Sequence, residues 1–169
     1  MQVVKCIILF IIFILSNLIG KFIASKFRYR VEELHDMKTA LSMFKTKIKF
    51  TYEPIPKVFE DISKVLNTKV SCIFKIAKCE MDKMNAGQAW QYAVDNTKNY
   101  LNDDDKRVAK IMSKMLGQSD VEGQISQIEV TEKFLDKQIK EAENEKNKNE
   151  KMFQKLGTVL GLALVIILI

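Results

Sequence analysis

Residues Leu156–Ile169 read LGTVLGLALVIILI, a run without a single charge. As an α-helix such a run covers roughly 21 Å at 1.5 Å per residue, against a hydrocarbon core of about 30 Å. It becomes a short membrane span if it is extended back to Met152, with Gln154 at the interface and the Lys155 ammonium snorkelling to the headgroups. The competing expectation is a tail tucked into the protein's own core. The N-terminal region decides for the membrane. It reads CIILFIIFILSNLIG over Cys6–Gly20, bounded by Lys5 and Lys21. Signal-peptide cleavage wants small residues at the last and third-last positions before the cut. Gly20 has Leu18 two before it and Ala24 has Phe22, so neither site qualifies. An uncleaved transmembrane helix is expected over residues 3–24, and a second over 152–169.

The basic flanks of the two spans agree. Lys21, Lys26, Arg28 and Arg30 follow the first, and Lys146, Lys148, Lys151 and Lys155 surround the start of the second. Lysine and arginine near span ends mark the cytoplasmic side. Residues 25–151 are therefore expected as one cytoplasmic domain, with both termini outside. The net charge of +6 is concentrated near the first span, where residues 21–49 carry eight basic and three acidic side chains. Nucleic-acid binding would need the basic excess on the domain itself, interleaved with aromatics. The observed placement suits anionic lipid, with Lys21, Lys26, Arg28 and Arg30 facing it.

Only two prolines and six glycines interrupt the chain, and between them the apolar spacing is helical, so the expected fold is all-α. A first helix, running on from the span, carries Phe27, Val31, Leu34, Met37, Leu41, Phe44, Ile48 and Tyr52 on one stripe. Glu53-Pro54-Ile55-Pro56 breaks it. Further amphipathic stripes follow: Ile55 to Leu66, Val70 to Met84, Trp90 to Leu101, and Val108 to Leu116. The sixth runs from Val121 to Ala142, and then charged KEAENEKNKNEK (Lys140–Lys151) leads into the second span. Short turns between six helices imply an antiparallel six-helix bundle flanked by the two transmembrane helices. Trp90, the only tryptophan, is expected to anchor its core. Gly117 should close the fifth helix in the left-handed conformation, and Ser119 with Glu122 should form a capping box for the sixth. In the membrane, Ser16 and Gly20 present small residues four apart, as do Gly157 and Gly161. The two faces suit close helix packing within the chain, and equally between copies of it.

Motifs for chemistry are sparse. There is one histidine, His35, and no GxxxxGK[ST] phosphate loop. Asp103-Asp104-Asp105 could hold a magnesium ion, but the position at a helix start favours capping. Cys72 and Cys79 are seven apart on one helix, too far to bridge, and are expected as core residues. No cofactor, no metal and no enzymatic activity are expected.

Several landmarks occur together in a recognisable order. They are the small-residue end of the first span (Ser16 to Gly20), the break at Phe50-Thr51-Tyr52-Glu53-Pro54-Ile55, Trp90 after Ala89, and Leu116-Gly117-Gln118-Ser119-Asp120 with Gln124. Lys148-Asn149-Glu150-Lys151-Met152 then precedes Leu156-Gly157. As a set, spread over the whole chain, they resemble the stage III sporulation protein AB family of endospore-forming bacteria. That family is similar in turn to the cytoplasmic domain of type II secretion and type IV pilus inner-membrane platform proteins. The resemblance implies a non-enzymatic platform-like part of a secretion-like channel between mother cell and forespore. It would sit in the mother-cell membrane and dock a cytoplasmic secretion-type ATPase. At Phe44-Lys45-Thr46-Lys47-Ile48 the family usually has acids where this chain has Lys45 and Lys47. A partner contact there would be reversed in charge or absent. With Pro54, Asp120 and Gln124, these lysines are the candidate partner-binding residues. The alternatives are a membrane signalling or receptor module, and an enzyme at the membrane surface using Asp103–Asp105.

Overall fold

The computed structural model describes residues 2–66, 68–114, 116–117 and 120–168, apart from the side chains of Gln2, Val3 and Cys6. Six α-helices account for most of it: α1 (Gln2–Phe50), α2 (Ile55–Val65), α3 (Lys69–Glu80), α4 (Ala86–Asn96), α5 (Asp103–Lys110) and α6 (Val121–Leu168). A 3-10 turn, Ile111–Lys114, follows α5. Among the described residues there is no strand. The fold is all-α, and α1 and α6 are each long and apolar enough in part to cross a membrane.

The chain divides into two compact units, Met1–Val31 with Glu141–Ile169, and Glu32–Lys140. This is a packing boundary. It lies inside the 25–151 segment, so residues 25–31 and 141–151 pair with each other as part of a two-helix hairpin.

The second unit is the bundle. Along α1 the spacing of Leu34, Met37, Ala40, Leu41, Phe44 and Ile48 puts one stripe inside. It meets Val58, Phe59 and Ile62 of α2, Val70, Ile73, Phe74 and Ala77 of α3, and Ala89, Trp90, Ala93 and Val94 of α4 in a common core. Ile128, Leu135 and Ile139 bring α6 to it. At its centre four aromatic rings interlock edge to face. Phe59 lies 5.2 Å from Phe44, 5.0 Å from Phe74 and 5.5 Å from Trp90, and Phe74 lies 4.9 Å from Trp90. Such pairs add about 0.5–1.5 kcal/mol each beyond their area burial.

Local chemistry sets the helix ends. α2 begins at Pro54 as N-cap, with Pro56 in its first turn, where a missing N–H leaves no bond unmade. Asn85 caps α4 by accepting from the Gln88 amide at 2.9 Å. Asn102 and Asp105 form a reciprocal capping box on α5, at 2.8 and 3.0 Å.

Four local expectations are corrected. Tyr52 was placed on the α1 stripe. The helix instead stops at Phe50, and Tyr52 takes a left-handed φ of 53° and stands 75% exposed. Val65, placed on the α2 stripe, is exposed because the last helical turn carries it past the core. Cys72 and Cys79, placed in the core, are both exposed. Each sits two residues, or about 200° of helix, from a buried residue of α3, Val70 or Ala77. The α5 stripe also shifts: Asp105, Ala109, Met112, Ser113 and Leu116 are buried, and Val108 only partly. The backbone tightens to 3-10 geometry at Ile111, which changes the phase of the buried face.

Candidate functional site

In the first unit the small residues bring two helices into backbone contact. A Cβ on Gly20 would lie 2.8 Å from the Phe153 carbonyl oxygen and 2.9 Å from the Gly157 Cα. A Cβ on Gly157 would lie 3.0 Å from the Gly20 Cα and from the Ser16 carbonyl oxygen, and one on Gly161 would lie 3.0 Å from the Phe13 ring. No larger residue fits at Gly20 or Gly157 without parting the helices. Ser16 Oγ donates to the Gly157 carbonyl at 2.8 Å. Thr158 Oγ1 donates to Asn17 Oδ1 at 2.7 Å, and Asn17 Nδ2 donates to its own helix at the Phe13 carbonyl, 2.9 Å away. Beyond this seat Phe27 stacks on Phe153 at 5.8 Å. The outward faces are hydrocarbon, with Phe10 65% and Ile167 78% exposed.

Of the basic residues expected to face lipid, Lys21, Lys26 and Arg28 are exposed. The Lys26 ammonium lies 5.8 Å over the Phe22 ring, and the Arg28 guanidinium 5.1 Å over Tyr29. Arg30 differs. It is buried, and its guanidinium donates to Glu145 Oε2 at 2.7 Å. Position 30 precedes Met37 by two helical turns, which turns it toward α6 and away from the lipid-facing side.

In the bundle, Lys45 and Lys47 are both engaged internally. Lys45 Nζ donates to Glu132 at 2.7 Å, with Glu129 at 3.8 Å. Lys47 Nζ bonds Asp61 at 2.7 Å and Glu53 at 3.4 Å. Asp61 also receives Lys57 at 3.0 Å. The hydrogen bonds from Lys47 and then Lys57 hold the Asp61 carboxyl down at about 2, and Asp61 in turn raises Lys47. Each lysine thus meets acids contributed by α6 or by the α1–α2 turn and α2. Pro54 is exposed next to Glu53.

The turn before α6 holds the other candidate partner residues. Gly117 has φ +72°, a conformation that costs a side-chain-bearing residue about 1–2 kcal/mol. Ser119 lies outside the described residues, so its cap with Glu122 does too. Asp120 takes the capping position: its Oδ1 accepts from the Gly123 amide at 2.9 Å, and its carbonyl accepts from Gln124 N–H at 3.1 Å. A carboxylate there also opposes the positive end of the helix dipole. Asp120 and Gln124 were expected on the exposed side; Asp120 is exposed there while one of its oxygens caps α6, and Gln124 is half-buried. Glu122 is exposed in the first turn of α6.

Trp90 is fully buried, and its Nε1 donates to the Ala109 carbonyl at 2.8 Å, tying α4 to α5. Glu33 carries no sequence flag, yet it is buried. Its Oε2 accepts from the Tyr100 amide at 2.6 Å, and Lys69 lies 4.0 Å from Oε1 and 3.9 Å over the Tyr100 ring. Burial raises the Glu33 carboxyl above its ordinary value, against the Tyr100 bond and Lys69. The signal for it was its place four residues before Met37, on the inward stripe. Asp103–Asp105 form the first turn of α5, with Asp105 in the capping box and Asp104 paired with Arg107. Among the described residues no group of three or more His, Cys, Asp or Glu side chains is placed to hold a metal.

Comparison with known proteins agrees with this architecture. The family model described as stage III sporulation protein AB matches residues 5–169. The stage III sporulation protein AB of Bacillus subtilis (strain 168) is 27% identical over 143 residues, covering 82% of this chain and 84% of that protein. A solved structure of a stage III sporulation protein AB superposes with a TM-score of 0.65 at 21% identity, covering 70% of this chain and 96% of the other. The last likeness speaks for the fold. The match to the family model, which takes in nearly the whole sequence, decides the assignment: the chain belongs to the stage III sporulation protein AB family.

Proposed function

We propose that the protein is a non-enzymatic, membrane-anchored assembly component of the secretion-like channel between mother cell and forespore. In this reading residues 3–24 and 152–169 cross the mother-cell membrane, and the bundle is cytoplasmic and docks a secretion-type ATPase. The observation that carries it is the pairing of two apolar helices at Gly20 and Gly157, with their basic residues gathered at one end. Membership of a sporulation family supplies the setting. The bundle offers a surface of ion pairs and helix ends, which suits protein contacts more than turnover of a small molecule.

The test has two arms. In intact cells of a cysteine-free variant, a membrane-impermeant thiol reagent should leave Lys83→Cys unlabelled and label it only after permeabilisation. Labelling from outside would reverse the topology. Crosslinking followed by pull-down from sporulating cells should recover a secretion-type ATPase with the tagged protein. Wild-type spore yield in a strain lacking the gene would remove the channel role.

A further inference from the structure

At the basic end of the hairpin, α1 and α6 leave a groove of about 410 Å³ between them. Its composition changes along its length. Leu18 and Phe22 form the apolar part, both largely exposed. Lys21 stands beside them, one turn from Ser25, and Arg28 lies a further turn along α1. Glu150 and Gln154 of α6 form the opposite wall. Pockets of about 300–1,000 Å³ hold small ligands, so the groove is large enough for a headgroup and the first part of an acyl chain.

We propose that this groove is a binding site for one anionic phospholipid. The inference rests on the membrane-anchored reading above and adds a specific lipid to it. An acyl chain lies along Leu18 and Phe22, in continuity with the hydrocarbon face of α1. The phosphate sits between Lys21 and Arg28. The Ser25 hydroxyl is bonded to the Phe22 carbonyl at 2.8 Å, so it turns its oxygen lone pairs outward and contributes no free donor. An acidic peptide is a poorer occupant, because the apolar half of the groove belongs to the segment that would lie in lipid.

The charges choose among phospholipids. Lys21 and Arg28 against Glu150 leave a net charge of +1 in the groove, and Lys151 and Lys155 stand exposed one and five residues beyond Glu150 on α6. That balance accepts one phosphate with an uncharged polyol headgroup, whose hydroxyls can bond Gln154. An ammonium headgroup would pair with Glu150 but meet the surrounding lysines. Glu150 therefore discriminates between the two classes. For a phosphatidylglycerol its carboxylate repels the phosphate from across the groove. For a phosphatidylethanolamine it would be the main headgroup contact.

The experiment uses the full chain in detergent, titrated with palmitoyl-oleoyl phosphatidylglycerol or phosphatidylethanolamine and read by native mass spectrometry. The wild type should retain one phosphatidylglycerol in preference to phosphatidylethanolamine. Lys21→Gln and Arg28→Gln should each weaken phosphatidylglycerol binding by roughly fivefold, since a basic residue at the surface is worth about that factor. Glu150→Gln should tighten it. Lys75→Gln, at an exposed position of α3, should leave it unchanged. A loss with Lys75→Gln equal to that with Lys21→Gln, or weaker binding by Glu150→Gln, would overturn the assignment. So would displacement of the lipid by free glycerophosphate, which would make the site one for a soluble phosphate. Circular dichroism of each variant guards against unfolding, and Glu150→Gln, predicted to gain affinity, cannot succeed through loss of fold. Alkaline carbonate extraction of membranes separates the two readings. Release of the wild type from the membrane would sink the membrane anchor itself, whereas a retained protein without lipid preference would sink only the groove.

Discussion

Removing the Trp90 ring should take a large share of the stability of the bundle. The side chain is fully buried, makes edge-to-face contacts with Phe59 and Phe74, and donates to the Ala109 carbonyl. Truncating a buried tryptophan to alanine costs about 3–5 kcal/mol. Here the upper end applies, because two aromatic pairs are lost and a buried carbonyl loses its donor. A domain of this size is stable by about 5–15 kcal/mol, so Trp90→Ala removes about a third of it or more. Trp90→Phe separates the contributions. Much of the packing survives, but Ala109 is left without its bond, for a cost of about 1–3 kcal/mol. Urea unfolding of the full chain in detergent, followed by helical circular dichroism, gives both values. The midpoint should fall in the order wild type, Trp90→Phe, Trp90→Ala. A Trp90→Ala protein within about 0.5 kcal/mol of wild type, the range of ordinary surface changes, would refute the core role and leave the ring as a docking residue.

Three other outcomes are expected. Lys45→Glu should destabilise the bundle by about 1–2 kcal/mol through the lost pair and repulsion from Glu132 and Glu129. Lys45→Glu combined with Glu132→Lys should recover most of that loss in the same urea assay. The Asp61 carboxyl is lowered on folding from an ordinary 3.8 to about 2, so its contribution is full above pH 3.8 and disappears as pH falls toward 2. Asp61→Asn should flatten the stability curve within that window, and an unchanged acid limb would show that the Lys47 and Lys57 bonds do not form in solution. Gly157→Val should force the hairpin apart, because its added atoms meet the Gly20 and Ser16 backbone. Intramolecular disulfide formation between Phe27→Cys and Phe153→Cys should then drop sharply, and undiminished crosslinking would contradict the close contact.

Helix type and number were legible because burial in an all-α chain writes itself as a spacing of threes and fours, clear in Leu34 through Ile48 and in Val70 through Ala77. The close approach at Gly20 and Gly157 falls on residues marked by size and interval. What periodicity hides is phase at helix ends, and the cap role of Asp120 shows only in its bond to the Gly123 amide. Tyr52 continues the apolar rhythm of α1, but the chain has already left the helix to reach Pro54. Arg30 was read as lipid-facing by its charge and Glu33 was not singled out, although their positions on α1 point inward. A buried ion is stabilised by a distant partner, Glu145 for one and the Tyr100 amide for the other, and single-helix patterns do not contain that partner. The site is harder to read for the same reason: Lys45 and Lys47 acquire their meaning from acids far along the chain.

The α1–α6 seat has a consequence for how copies of the protein meet. When the helices separate, no hydroxyl is stranded. Thr158 already lies 3.3 Å from the Gln154 carbonyl of its own helix, Asn17 keeps its bond to the Phe13 carbonyl, and serine can bond back one turn. What is lost is shape and the two bonds between the helices, Ser16 to the Gly157 carbonyl and Thr158 to Asn17, and neither records which chain an α6 belongs to. Tethering makes the difference: Lys38 and Asp136 touch within the bundle, so the chain leaves it at neighbouring points and supplies its own α6 at high effective concentration. Where molecules are sparse, each hairpin closes on itself. Where they are packed together, α6 helices can trade places between neighbours with every contact conserved, and the same seat becomes a link in a chain of exchanged subunits.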